Sequence, residues 1–131
     1  MSKPLSVTAL LATLGLALGQ AAPAAAHHSY ASFDRSKTIT VSGTVKAWEW
    51  TNPHTWLTVA VPDPKKKGAV RSWAFEGMAP GTLRAKGWSR LMLKPGDKIT
   101  LTMNPRRDGA AGGTLVGLTL PDGKVIGGPA G

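Results

Sequence analysis

Alternation of apolar and polar residues is the feature that most constrains the fold of this 131-residue chain. Segments that alternate with period two are typical of β-strands that bury one face. They cover residues 38–50, 54–61, 69–77, 98–104 and 114–126. The alternation predicts an inward face that includes Ile39, Val41, Leu57, Val59, Phe75, Ile99 and Leu101.

The first of these segments changes phase partway along. From Ile39 to Ala47 the apolar and small residues stand at odd positions, and Trp48 and Trp50 then place them at even positions. A slip of one residue indicates a β-bulge, which bends a strand. The sequence therefore predicts a long, bent first strand. At the other end, the Asp-Gly pair at 122–123 suggests a short hairpin within the last segment.

One segment between the third and fourth strands has a different period. Leu83, Gly87 or Trp88, and Leu91 recur at helical spacing, which predicts a helix over Thr82–Leu93. Three strands, a helix and two strands are the element order of the OB-fold. The predicted fold is therefore all-β with one helix, in a small five-stranded OB-like barrel over residues 38–126. A small antiparallel sandwich is the alternative.

The N-terminus has the pattern of a secretory signal peptide. Lys3 is followed by an apolar run from Leu5 to Leu18 and an Ala-rich stretch that ends at Ala26. The run is short for a membrane anchor, which is the alternative. We therefore expect cleavage near Ala26 and a secreted or periplasmic protein, with an arm over 27–37 and a disordered tail over 127–131. After cleavage, no apolar segment is long enough to span a membrane, and the chain contains no cysteine.

The chain is strongly basic. Its 16 Lys and Arg residues include only Lys3 before the expected cleavage site, so the processed chain has 16 − 1 = 15 basic against 7 acidic residues, a net charge of +8. For an exported protein, this charge favours an anionic envelope polymer, lipid head groups or a small anionic ligand over nucleic acid as partner. The alternative is that the charge serves solubility alone.

Several blocks of sequence resemble a family of small exported bacterial proteins of unknown function. The blocks are HHSYASFD, SGTVKAWEWTNPHTW, WAFEG, GWSRLMLKPGD and LPDGK. The resemblance covers nearly the whole chain after the signal peptide and supports its domain limits and its export. It implies no activity.

The stretch EWTNPHTW, which joins the first two strands, is the first candidate binding site. In an OB-fold this loop and the loop between the last two strands, here NPRRDGAAGG, frame the ligand face. The expected site residues are Trp50, His54, Trp56, Arg106 and Arg107. Aromatic rings beside two guanidinium groups suit an anionic or sugar-like ligand. The alternative is a plain turn at Asn-Pro, with solvated arginines.

Catalytic motifs are not visible in the sequence. It shows no Ser-His-Asp spacing, paired-carboxylate motif, phosphate loop or zinc motif. Glu49 and Glu76 stand near strand ends and could flank a cleft, although single carboxylates there are usually solvated. Tryptophans beside basic residues would suit single-stranded nucleic acid on this fold, but the export signal argues against that partner. We therefore expect a binding protein and not an enzyme.

The pair His27-His28 is a second candidate site, for copper or nickel. Cleavage after Ala26 makes His27 the N-terminus, so that its amine and imidazole can chelate one ion. Cleavage one or two residues earlier places a histidine third, where nitrogen donors form the square plane that Cu(II) and Ni(II) prefer. The alternative is a polar arm that binds no metal in the cell.

His54 is the doubtful third metal ligand. It follows the far end of a first strand that spans roughly 40 Å at about 3.3 Å per residue. His27 would reach it only if the arm ran back almost fully extended. We therefore expect copper at the N-terminal pair without His54, unless the arm folds over the barrel.

Overall fold

The computed structural model describes residues 31–128, which form six strands and one short helix. Their order is β1 (Ile39–Glu49), β2 (Trp56–Pro62), β3 (Val70–Glu76), α1 (Pro80–Ala85), β4 (Lys98–Pro105), β5 (Gly112–Thr119) and β6 (Val125–Gly127). No helix in this part of the chain is long and apolar enough to cross a membrane.

The strands close into a barrel. Neighbours in the sheet follow the order β3-β2-β1-β4-β5-β6, and an additional parallel pairing joins β3 to β5. That pairing closes a five-stranded barrel with one short helix, which confirms the predicted fold class. The sixth strand pairs with β5 through a hairpin in which the Leu120 amide donates to the Lys124 carbonyl. The hairpin at 122–123 is therefore present, and Gly127, expected in the tail, is the last residue of β6.

The bulge in β1 lies where the apolar pattern changes phase. The pairing of β1 with β2 shifts register between Val45 and Ala47. On its other side, the backbone of Val45 leaves the ladder and exchanges hydrogen bonds with Gly96 and Asp97. The bulge lets one strand pair with both β2 and β4 while it bends around the core.

The core is the interior of the barrel. Six of the seven predicted inward residues are buried: Val41, Leu57, Val59, Phe75, Ile99 and Leu101. The prediction for Ile39 was wrong, since its side chain is 41% exposed. Ile39 is the first residue of β1. It lies at the rim of the barrel, where fewer neighbours cover it.

The helix is shorter than predicted. It ends at Ala85, and Gly87 adopts a φ of +85°, which reverses the chain. The Trp88 amide donates to the Leu83 carbonyl and the Gly87 amide to that of Arg84, which is the Schellman pattern of a helix C-terminus. Leu83 and Trp88 are both buried, but Leu91 is 91% exposed, so its helical spacing was a coincidence.

The described part of the arm pairs with the end of β4. The Asp34 amide donates to the Pro105 carbonyl, and the Arg107 amide donates to the Ser32 carbonyl. Phe33, which forms an isolated bridge with Arg106, is 4% exposed. The arm therefore continues the line of β1 along β4 and ends its described part beside the β4–β5 loop. His27 and His28 lie outside the described residues.

Candidate binding site

Barrel closure brings the β1–β2 and β4–β5 loops to one end of the barrel. Trp56 pairs with Glu76, Glu76 with Thr114, and Thr114 with Asn104, in a row across four neighbouring strands. The residues His54 and Arg106 lie just outside the two ends of this row. We call this region, with the loop residues 51–55 and 106–111, the barrel end.

His54 is held by neighbours that fix its ring. Its Nδ1 lies 3.2 Å from Oε1 of Glu76 and 3.2 Å from the carbonyl oxygen of Gly77. Both are acceptors, so in the neutral ring Nδ1 carries the proton and Nε2 presents a lone pair. The loop itself is held by the Thr51 hydroxyl, which donates to the His54 carbonyl at 2.8 Å.

Glu76 is buried, contrary to the expectation of a solvated carboxylate. Its residue is 8% exposed at the end of β3, between β2 and β5. Next to it, Thr55 is fully buried and donates to the Met78 carbonyl at 2.9 Å. The alternation alone gave no signal for this burial, because it depends on the closure of β3 against β5.

Arg106 is engaged by an acid from its own loop. Its Nε and one terminal nitrogen donate to the two carboxylate oxygens of Asp108 at 3.0 and 2.7 Å. The ion pair raises the pKa of Arg106, with a smaller contribution from the charge of Glu76. The hydrogen bond from Arg106, with one from the Ala110 amide, lowers the pKa of Asp108 to about 2. The Arg106 guanidinium group is therefore already paired with Asp108 and does not present this pair of donors to a ligand.

Arg107 holds the arm. Its Nε donates to the Ala31 carbonyl at 3.2 Å, and a terminal nitrogen lies 4.0 Å from a carboxylate oxygen of Asp34. The barrel end therefore combines two arginines with the carboxylates of Asp34, Glu76 and Asp108. The three carboxylates outnumber the two arginines, so the charges of the barrel end do not favour an anion.

Trp50 lies beside different arginines from those that the sequence predicts. Its ring meets that of Trp48 edge to face, with centroids 5.4 Å apart. It lines a surface depression with the side chains of Arg84, Ser89, Arg90 and Leu91. We call this depression the Trp50 site. Sequence reasoning missed it, because the three-dimensional turn after α1 brings residues 84–91 to Trp50.

The Trp50 site has an aromatic floor and an unbalanced charge. Trp48 also lies 6.3 Å from the buried ring of Trp88, so the three indoles support one another from the core to the surface. Within residues 31–128, neither Arg84 nor Arg90 has an ion-pair partner. An unneutralised pair of guanidinium groups beside an indole is suited to an anion.

The other site residues have the following positions. Trp56 is 38% exposed and pairs with Glu49 on one side and Glu76 on the other. Of the other tryptophans, Trp88 is buried, whereas Trp48 and Trp73 are partly buried and pack against the core. Within the described residues, no group of three or more His, Asp or Glu side chains could hold a metal ion, so His54 and Glu76 form only a pair there.

Protonation of Asp108 gives a prediction about the β4–β5 loop. Because its pKa is lower when folded than the usual 3.8, the Asp108 ion pair stabilises the fold above about pH 4. This contribution is lost as the pH falls to about 2. Carbon NMR of the side-chain carboxyl should give a midpoint near 2 in the natural chain. In Arg106→Gln it should move towards 3.8, while the lowered pKa of Asp97, which Lys94 causes, stays unchanged. A midpoint of 3.8 in the natural chain would contradict the ion pair.

The comparisons with known proteins identify a family. The model of the family of unknown function DUF6152 matches residues 16–116. The protein belongs to DUF6152. This confirms the expected membership of a family of unknown function, while the export and small size of its members remain predictions.

Among solved structures, the DUF6152 chain is similar to the mitochondrial single-stranded DNA-binding protein Rim1 of S. cerevisiae. The TM-score is 0.48 at 7% identity, over 64% of this chain and 92% of that one. The assignment of the barrel rests on its own strand pairing and not on this similarity. No curated protein matches the chain.

Proposed function

We propose that this DUF6152 protein is an exported binding protein that acts by holding an anionic ligand and not by catalysis. Its export rests on the N-terminal pattern of Lys3, the apolar run and Ala26. The ligand is a small anion or an anionic group of an envelope polymer. One observation carries the proposal: Trp50 shares a depression with Arg84 and Arg90, neither of which forms an ion pair within residues 31–128.

The Trp50 site suits an anion better than the barrel end does. At the barrel end, Asp108 occupies the fork of Arg106, and Arg107 binds the arm. At the Trp50 site, both guanidinium groups can form paired hydrogen bonds with a phosphate or carboxylate, and the indole supplies an apolar face. Of the residues expected from sequence, Trp50 therefore stays in the proposal, with new partners.

Calorimetric titration with inorganic pyrophosphate at low salt tests this site. Arg84→Ala with Arg90→Ala should weaken binding by about tenfold or more, because each charge-assisted hydrogen bond contributes about 1.5–3 kcal/mol. Lys65→Ala with Lys67→Ala removes the same charge from the exposed β2–β3 turn and should have a small effect. If Arg106→Ala with Arg107→Ala removes binding instead, the ligand lies at the barrel end, as the sequence suggested.

Copper binding is the second candidate function, and the orientation of His54 favours it. The carboxylate of Glu76 against Nδ1 is the arrangement that orients many metal-binding histidines and leaves Nε2 for the ion. The described arm ends at the β4–β5 loop, where Ala31 meets Arg107. His28 and His27 precede Ala31 by three and four residues.

Barrel closure also shortens the distance that made His54 doubtful. Trp56 and Asn104 stand three strand spacings apart, which is about 15 Å at about 4.8 Å per spacing. Four residues can span at most about 14 Å. These two lengths are nearly equal, so the arm can bring His27 close to His54 across the end of the barrel. The distance of roughly 40 Å along the first strand does not have to be covered.

Electron paramagnetic resonance with one equivalent of Cu(II) tests this candidate on the processed protein, after its N-terminus has been checked by mass. If His54 joins the N-terminal pair, His54→Ala should remove one nitrogen from the copper hyperfine pattern. Affinity should fall at low pH, because the imidazoles must be neutral to bind. A spectrum unchanged by His54→Ala limits the site to His27 and His28. No bound copper at micromolar protein, with His27 intact, rules the candidate out.

A further inference from the structure

Leu91 is the most exposed of the large apolar side chains in residues 31–128. It is 91% exposed, compared with 65% for Val125 and 64% for Val70. It lies in a second turn after α1, at residues 90–91, which we call the tip. Single exposed leucines are common on protein surfaces, so exposure alone does not indicate a partner. The contacts that hold this turn in place and the charges beside it do indicate one.

The turn that carries Leu91 is anchored on both sides. Trp88 before it and Leu93 after it are 4% and 6% exposed, respectively. The indole nitrogen of Trp48 donates to the Ser89 carbonyl at 3.1 Å, and the Met92 amide donates to the same carbonyl at 3.4 Å. Leu91 is therefore presented on a supported tip and not on a loose loop.

Two positive charges lie beside the tip. Arg84 and Arg90 line the Trp50 site beside Leu91. Lys94 beyond the turn is paired with Asp97 at 2.8 Å. The surroundings of Leu91 therefore repel a second copy of the same face and attract a negatively charged surface.

We propose that this tip docks the protein on an anionic lipid surface. The proposal rests on the proposed function, since it makes a lipid phosphate the anion of the Trp50 site. Leu91 then enters the boundary between head groups and acyl chains, Arg84 and Arg90 pair with phosphates, and Trp50 lies at head-group level. One leucine and a few cations give weak and reversible binding that salt weakens.

Vesicle co-sedimentation of the processed protein tests the proposal. The probes are vesicles of equal parts phosphatidylglycerol and phosphatidylcholine, and vesicles of phosphatidylcholine alone. The protein should sediment with the anionic vesicles only. Leu91→Asp should lower the partition coefficient by about tenfold or more, since it replaces the apolar side chain that enters the lipid with a charge that phosphates repel. Val125→Asp, with the same charge change at another exposed apolar residue, should lower it far less.

The arginine variants separate this proposal from the one on which it rests. Arg84→Glu with Arg90→Glu should abolish vesicle binding, while Lys65→Glu with Lys67→Glu, of equal net charge, should leave most of it. Pyrophosphate binding that depends on Arg84 and Arg90, together with vesicle binding unaffected by Leu91→Asp, would overturn the lipid surface and leave the anion site standing. Absence of sedimentation with anionic vesicles would also overturn it, and would point to an acidic protein or a soluble anion. Loss of neither ligand in the Arg84 and Arg90 variants would overturn both.

Discussion

Replacing Gly112 with alanine should lower the free energy of unfolding by about 3–5 kcal/mol, because strain and steric overlap add at this position. Gly112 has a φ of +142° and is buried in the β3–β5 pairing opposite Ala74. A Cβ atom there would overlap the backbone carbonyl of Ala74. Relief of that overlap would separate the two strands that close the barrel.

Gly123→Ala is the matched control for this variant. Gly123 also has a positive φ, +86°, but a Cβ atom there would meet nothing within 4 Å. It should cost only the backbone strain, about 1–2 kcal/mol. Urea unfolding followed by tryptophan fluorescence measures both. Equal losses in the two variants would show that the β3–β5 closure is not tightly packed at Gly112.

Trp88→Ala and Trp50→Ala should separate the core from the binding site. Trp88 is 4% exposed, packs on Trp48 and follows the Schellman turn of α1, so its removal should cost about 3–5 kcal/mol. Trp50 is half-buried at the surface end of the indole cluster, and its removal should cost about 1 kcal/mol while it weakens pyrophosphate binding.

Thermal unfolding and calorimetric titration of the two tryptophan variants check this prediction. A loss of stability for Trp50→Ala as large as that for Trp88→Ala would show that Trp50 belongs to the core. The depression beside it would then be a consequence of packing and not a binding site.

Local patterns were sufficient to predict the barrel. Period-two alternation depends on which face of a strand is buried, and the phase change before Trp48 reported the bulge directly. The predicted helix is too long because the helical spacing of apolar residues continues past Gly87. A glycine at that position is itself a signal for a helix end. Ile39 had the right phase but lies at the rim, and a periodic pattern does not say where the interior ends.

The candidate site was harder to predict, because it depends on which distant segments meet. The neighbours of Trp50 come from residues 84–91, and only the turn after α1 places them there. Arg106 was assigned to a ligand although Asp108, two residues later, was available to pair with it. The distance that the sequence predicts between His54 and the arm assumes a straight β1. It leaves out the closure of the barrel through β3 and β5.

Proton–nitrogen NMR of the tryptophan indoles, during titration with pyrophosphate, tests the central claim most directly. The chain has five tryptophans, so the indole N–H signals are few, and Trp50→Phe and Trp56→Phe assign the two that matter. If the anion lies between Arg84 and Arg90, the Trp50 signal should shift with saturation, and the Trp56 signal at the barrel end should stay in place. A saturating shift of Trp56 with an unmoved Trp50 would contradict the account and return the ligand to the loops around His54 and Arg106.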